Sequence, residues 1–174
     1  SALFRLKEYE NETIRKFIIW DLTWNWSYYF NPYHGTRIWQ DTRIHLNKSK
    51  GGPAGYDNGD FLRRFGLHPN STSYKISMDG KPIGSIILWL NHDTNIHFLG
   101  NIFIDPSLQN KGIGLKIWNF IEKQYPNTLK WCTDTPGFSK RNHHFYVNKC
   151  GFHLVKIENP MKDDACQYIL EKTY

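Results

Sequence analysis

The chain has 174 residues, of which 40% are hydrophobic and 22% charged, with a formal net charge of +6. That length supports one compact domain with a substantial core and is short for two. The basic residues are scattered, at Arg15-Lys16, Lys48, Lys50, Arg63-Arg64 and Lys140-Arg141; without a continuous basic run they argue against a nucleic-acid partner and for a small anionic ligand or an ordinary solvated surface.

In chain order, residues 3–9 read as a first strand and residues 11–22 as a helix, with Ile14, Phe17 and Ile18 on one face and Asn11 as its cap. An aromatic segment at 20–39 comes next, broken by Asn31-Pro32; it either packs the first helices or lines a pocket. Residues 37–46 form a second, weakly patterned helix, and the glycines of 51–59 impose a loop. From Tyr74 the pattern turns to strands. Residues 74–78 and 83–90 flank an Asp79-Gly80-Lys81-Pro82 turn as a hairpin, and residues 96–104 make a third strand. An amphipathic helix over 112–125 carries Ile113, Ile117, Phe120 and Ile121 on one stripe and ends at Tyr125-Pro126-Asn127. A short strand at 129–133, a helix at 139–150 stopping at Gly151, and a hairpin of 152–157 with 166–171 around Asn159-Pro160 complete the chain.

The run Gln109-Asn110-Lys111-Gly112-Ile113-Gly114 sits where the third strand turns into the helix. The first N–H groups of a helix have no carbonyl partner within it, and the aligned peptide dipoles place partial positive charge there, so an anion is favoured. Gly112 and Gly114 carry no Cβ to keep a pyrophosphate from the backbone, and Lys111 adds charge. An ordinary strand-to-helix turn has the same composition. A second motif lies downstream at the right distance: Asn142, Phe145-Tyr146 and Gly151-Phe152 on a helix leading into a strand.

With Asp105-Pro106 ahead of the glycine turn, the order of these two motifs resembles the GNAT superfamily of acyl-CoA-dependent N-acyltransferases, over residues 76–157 approximately. The resemblance implies a mixed α+β fold: a central, mostly antiparallel sheet of six to seven strands flanked by helices. It implies a single domain over residues 1–174, with acetyl-CoA bound by residues of roughly 74–157 and the acceptor met by roughly 10–70. It also implies acetyl-CoA as co-substrate, with its pyrophosphate on Gln109, Asn110, Lys111, Gly112, Ile113 and Gly114. The pantetheine arm then lies along Ile102, Phe103 and Ile104, and the Asn142 amide touches it. Lys111, Lys116, Lys140 and Arg141 are candidates for the adenosine phosphates. The acetyl group passes directly to a primary amine, a small molecule in the leading reading; a protein or peptide amine, or a non-catalytic acyl-CoA-binding module, is the alternative.

Tyr146 matches the acid that meets the departing thiolate. At reference values of ~8.5 for a thiol and ~10 for a phenol, full transfer of its proton is uphill by roughly 2 kcal/mol, so Tyr146 works as a hydrogen-bond donor or with its own pKa lowered; a packed aromatic is the plain alternative. Four residues, Val147 to Cys150, separate Tyr146 from Gly151 where the common pattern has three, and one extra residue turns a helix end by ~100°. No general base is evident. The family positions for one fall on Phe98 and Gly100, which accept no proton, and alternation turns His97 to the other face; Asp93, Asp134, His34 and Asp57 are left to act through water.

Cysteines 132, 150 and 166 are an odd count at spacings that fit no disulfide framework or zinc site. They read as reduced thiols of a cytoplasmic protein without a metal. A set of Cys132 and Asp134 with His143 or His144 for nucleophilic catalysis is open on sequence alone, although Cys132 on an interior strand reads more simply as core. The longest apolar run, 86–90, is far below the roughly 20 residues that span a bilayer, so no membrane is expected. A monomer or homodimer is expected.

Overall fold

The structure, a computed structural model, describes residues 60–79 and 81–174. The expected strand at 3–9, the helices at 11–22 and 37–46 and the loop at 51–59 lie outside the described residues. After a π-helical turn Leu62–Gly66 come six strands: β1 (Ser71–Met78), β2 (Lys81–Trp89), β3 (Ile96–Ile104), β4 (Lys130–Pro136), β5 (His153–Glu158) and β6 (Gln167–Thr173). They form one sheet in the order β1-β2-β3-β4-β6-β5. Every pairing is antiparallel except that of β3 with β4, since helix α1 (Ile113–Gln124) carries the chain back over one face between them.

The core lies between that face and the helices. Trp118 of α1 meets Trp131 of β4 edge-on with ring centroids 5.3 Å apart and tilts against Phe152 at 5.2 Å. All three are fully buried with Ile76, Ile86, Leu88, Leu99, Ile117, Ile121 and Leu170. His97 joins this layer as alternation requires. Its Nδ1 accepts the Asn91 N–H at 3.2 Å, its ring lies 5.0 Å from that of Trp131, and burial lowers its pKa, so it is a neutral packing residue.

The expected helix at 139–150 takes a different form. Only Lys140–His143 is α-helical (α2), and His144–Lys149 continues as a π-helix. Cys150 N–H reaches back to the Phe145 carbonyl at 3.0 Å and Phe152 N–H to that of Tyr146 at 3.0 Å. A π turn holds one more residue than an α turn between bonded groups, which is how a single extra residue enters a helix without displacing the chain beyond it. The fourth residue between Tyr146 and Gly151 is absorbed there.

β3 is bent midway. Its register against β2 runs Leu88↔Leu99 and then Ile87↔Asn101, leaving Gly100 as an extra residue, a bulge that redirects the strand. Pairing of β3 with β4 covers only Ile96↔Lys130, His97↔Trp131 and Phe98↔Cys132; past Phe98 the two strands part.

Close backbone approach fixes one glycine of this frame. A Cβ at Gly84 would overlap the Phe103 carbonyl oxygen across the β2–β3 pair. Overpacking of this kind costs typically 1–3 kcal/mol or more. Gly84→Ala should therefore lower the unfolding free energy by at least about 2 kcal/mol in denaturant titration; an unchanged midpoint would contradict this register.

Candidate active site

A cavity of about 500 Å³ opens where β3 and β4 part, between the N-terminal end of α1 and the α2–π segment. Its walls include Ile102 and Ile104 of β3, Gln109, Asn110, Gly112, Ile113 and Gly114 of the turn, and Asn142, Phe145 and Tyr146 of the second helix. Most residues that the sequence nominated thus meet around one space. Phe103 and Lys111 stand outside its walls: Phe103 is buried and Lys111 is exposed, so only their main chains are near it.

The turn is shaped for an anion. Asp105 caps the 3-10 turn Pro106–Leu108, its carboxylate accepting the Ser107 N–H at 2.8 Å. Asn110 then takes a left-handed φ of 61° and Gly112 one of 73°. The first bond of α1 runs from Lys116 N–H to the Gly112 carbonyl at 3.1 Å, so the amides ahead of Lys116 have no acceptor in their own helix. Around the Gly112 Cα no heavy atom lies within 4 Å of where a Cβ would stand. Gly112 is therefore required by its backbone angle and faces open space. Gly114 has another reason: a Cβ there would come within 3.1 Å of Phe145 and 3.3 Å of Ile104, so this glycine lets α1 press against the opposite wall.

Gln109 links turn and helix. Its Nε2 donates to the Ile104 carbonyl at 2.9 Å, and its Oε1 accepts from the Arg141 guanidinium. Arg141 is thereby the one of the four sequence-nominated phosphate cations that lines the cavity, alongside Lys149, which the sequence reading did not single out. Its place at the end of the π turn had no sequence signal. Lys111, Lys116 and Lys140 are exposed at the surface. Asn142 Nδ2 donates to Thr135 Oγ1 at 2.9 Å, which fixes the orientation of the amide.

Tyr146 is 7% exposed. Its ring packs edge-on against Phe145 and Phe152, at 5.3 and 5.8 Å. Burial holds its ionisation far above the ordinary phenol value, helped by the nearby Cys150 and Asp134. Of the two ways the sequence left open, burial runs against a lowered pKa, and the phenol is neutral at physiological pH.

Candidate bases divide. Asp134 comes after Thr133 on β4 and points to the opposite face of the sheet. Loss of solvent around its carboxyl raises its pKa, with the Glu158 charge adding. Asp93 sits in an exposed turn, and His34 and Asp57 lie outside the described residues. The Cys132 set does not assemble. Burial and the Glu171 carboxylate 3.9 Å away raise the Cys132 thiol, the opposite of what activates a nucleophile. The His143 ring stacks on Tyr168 at 4.3 Å, and its Nε2 lies 3.1 Å from the Pro136 carbonyl. Among the described residues no cluster of three or more His, Cys, Asp or Glu is arranged to hold a metal, and no helix is long and apolar enough to cross a membrane.

Similarity to known proteins runs along the same lines. The model of the acetyltransferase (GNAT) family matches residues 22–152, and the chain belongs to that family. This match begins well ahead of residue 76, so the N-terminal part carries family signal that motif reading did not detect. The chain is similar to the uncharacterized protein YrkN of Bacillus subtilis (strain 168), 44% identical over 108 residues, 62% of this chain and 57% of that protein; it spans a little over half of that relative's length. Among solved structures, an acetyltransferase from Thermus thermophilus superposes with a TM-score of 0.61 at 14% identity, covering 85% of this chain and 92% of that one. A putative streptothricin acetyltransferase from Bacillus anthracis str. Ames, in complex with acetyl coenzyme A, gives 0.54 at 19% identity, covering 65% and 68%. These likenesses establish the mixed six-stranded sheet with its flanking helices as the GNAT fold.

Burial of thiol and phenol next to the site has a consequence for stability. Cys150 is 3% exposed and its pKa is pushed up to about 12, whereas an unfolded thiol ionises near ~8.5. Above that pH the unfolded chain releases a proton that the folded chain keeps, so stability falls as pH rises, by up to about 1.4 kcal/mol per unit from this group. Tyr146 and Cys132 act in the same direction. Denaturant titrations at pH 8, 9 and 10 should give a declining free energy, with a shallower decline in Cys150→Ala; equal slopes would contradict this placement of Cys150.

Proposed function

We propose that the chain is an acetyl-CoA-dependent N-acetyltransferase that moves an acetyl group directly onto a primary amine. The observation that carries the reading is the parting of β3 from β4 beside the glycine turn, with Tyr146 in the wall of the resulting cavity. A pyrophosphate meets the unbonded amides ahead of Lys116 while Arg141 and Lys149 offset its charge. The extended pantetheine arm runs beside Ile102 and Ile104, on the side of β3 from which β4 turns away, and Asn142 borders the same path. Bound in this manner, acetyl-CoA supplies the activated acyl group; the chain orients it and excludes water.

The acceptor nitrogen, as a neutral amine, attacks the thioester carbonyl. The new N–C bond forms as the C–S bond breaks, and the electron pair of that bond leaves on sulfur. Tyr146 donates a hydrogen bond to the developing thiolate and keeps its proton, because its raised pKa makes full transfer more uphill than reference values give. The nitrogen releases its extra proton to solvent. A small-molecule amine is the acceptor in this reading. The streptothricin named for the similar Bacillus anthracis protein sets the first class of compounds to try.

A thiol-release screen with acetyl-CoA against amines, aminated antibiotics and peptides tests the reading. At least one amine should release CoA in step with its own acetylation by mass. With that amine, Tyr146→Phe should keep acetyl-CoA affinity and lose about 100- to 1,000-fold in single-turnover rate, the usual scale for one hydrogen-bond donor to developing charge. A Tyr146→Phe protein as fast as the parent would remove the donor role, and a chain that fails to bind acetyl-CoA at all would remove the enzyme.

A further inference from the structure

Gln109 stands in the cavity wall, yet both ends of its side-chain amide are engaged within the protein. Nε2 donates to the carbonyl of Ile104, the last residue of β3, at 2.9 Å, and Oε1 accepts from the guanidinium of Arg141, 32 residues on and in the opposite wall. A turned-over amide would set its oxygen against a carbonyl oxygen and its NH2 group against a guanidinium, so its orientation is fixed. The backbone of Gln109 is held as well: its N–H reaches the Pro106 carbonyl at 3.3 Å, closing the 3-10 turn that Asp105 opens. One side chain thus ties the end of β3, the glycine turn and the second helix together. A guanidinium is a flat fork of five N–H donors, so a partner that fixes one edge sets the plane in which the rest point. A neutral partner does this without cancelling the charge; a carboxylate in the same place would pair with Arg141 and offset its attraction for an anion.

We propose that Gln109 is a positioning residue that holds the Arg141 guanidinium toward the pyrophosphate of the bound cofactor while leaving its charge intact. This deepens the acetyltransferase reading and rests on it. The resemblance in sequence puts the pyrophosphate on Gln109 itself; in the structure its side chain serves the anion through a second residue. Arg141 immediately precedes Asn142, whose amide donates to Thr135 Oγ1 of β4 at 2.9 Å. The cation and the amide beside it are therefore each oriented by a neutral side chain from another element. Nothing in the local spacing marks the pair, because its two members belong to different motifs and meet only across the cavity.

The probe is coenzyme A itself, which needs no acceptor. Its affinity for the parent chain, Gln109→Met, Arg141→Met and the double variant is measured by calorimetry across a range of salt concentrations. Methionine keeps the length of glutamine and makes neither bond. On the usual scale for hydrogen bonds to charged groups, Arg141→Met should weaken CoA by at least about tenfold and Gln109→Met by about three- to tenfold. In the Arg141→Met background Gln109→Met should change affinity by less than about twofold, since members of one interaction do not add. Affinity should also fall less steeply with salt in Gln109→Met than in the parent, because a cation turned away from the phosphates leaves less attraction to screen. Loosening of the turn alone would leave that slope as it is. If Gln109→Met does not fold, Gln109→Asn, one methylene too short to reach both partners, is judged by the same criteria. Parent affinity in Gln109→Met, a loss that recurs in full in the Arg141→Met background, or a loss with the parent's salt slope overturns the positioning role while leaving Arg141 at the phosphates. Parent affinity in Arg141→Met removes that cation from the site and this inference with it, and no CoA binding by the parent overturns the acetyltransferase reading itself.

Discussion

Three residue pairs join β3 to β4, and everything at the site depends on their being only three. A parallel pair that continued would run β4 alongside Ile102 and Ile104 and close the cavity; one that never formed would leave α1 without the two strands it crosses between. The bulge at Gly100 bends β3 away from β4, Thr133 takes the Leu99 carbonyl that the bend leaves behind, and α1 starts at the open end with unpaired amides. Strand, turn and helix thus border one space from three directions. Trp118, Trp131 and Phe152 pack the core between α1 and the sheet, where buried apolar area supplies the stability that the interrupted ladder gives up.

Electrostatics around the gap are arranged by burial more than by pairing. Tyr146 and Cys150 are kept neutral because the medium around them disfavours charge, and His97 is neutral for the same reason. Arg141, braced by Gln109, stands in the cavity wall, and Asp134 lies on the opposite sheet face. The phenol therefore offers hydrogen-bond donation without a competing ionised state. The chain's net positive charge contributes little to this beyond Arg141 and Lys149, the two cations in the cavity wall; Lys111, Lys116 and Lys140 are exposed.

Much of this frame is legible in the amino-acid order. The strand 96–104, the glycine turn and the helix after it were readable because an apolar alternation, a change of period and two glycines mark them locally, and the structure gives β3 and α1 to within a residue. The two glycines had different causes that composition alone did not separate, an αL backbone for Gly112 and close helix packing for Gly114. The π turn was visible only as an extra residue, since an i→i−5 bond has no pattern of its own. Lys149 was invisible, since its place in the cavity wall depends on where the π turn ends. The base stayed unread for a physical reason too: Phe98 and Gly100 hold the expected positions, and the substitute depends on which face of β4 borders the acceptor.

The central claim is that the amides ahead of Lys116 are an anion site that holds the pyrophosphate of coenzyme A. Amide NMR of the full chain during titration with acetyl-CoA addresses it atom by atom. The account predicts saturable shifts that are largest at Gly112, Ile113 and Gly114, with smaller ones at Ile102 and Ile104. Saturation without shifts in those three amides, or with shifts centred on β5 and β6, would contradict it.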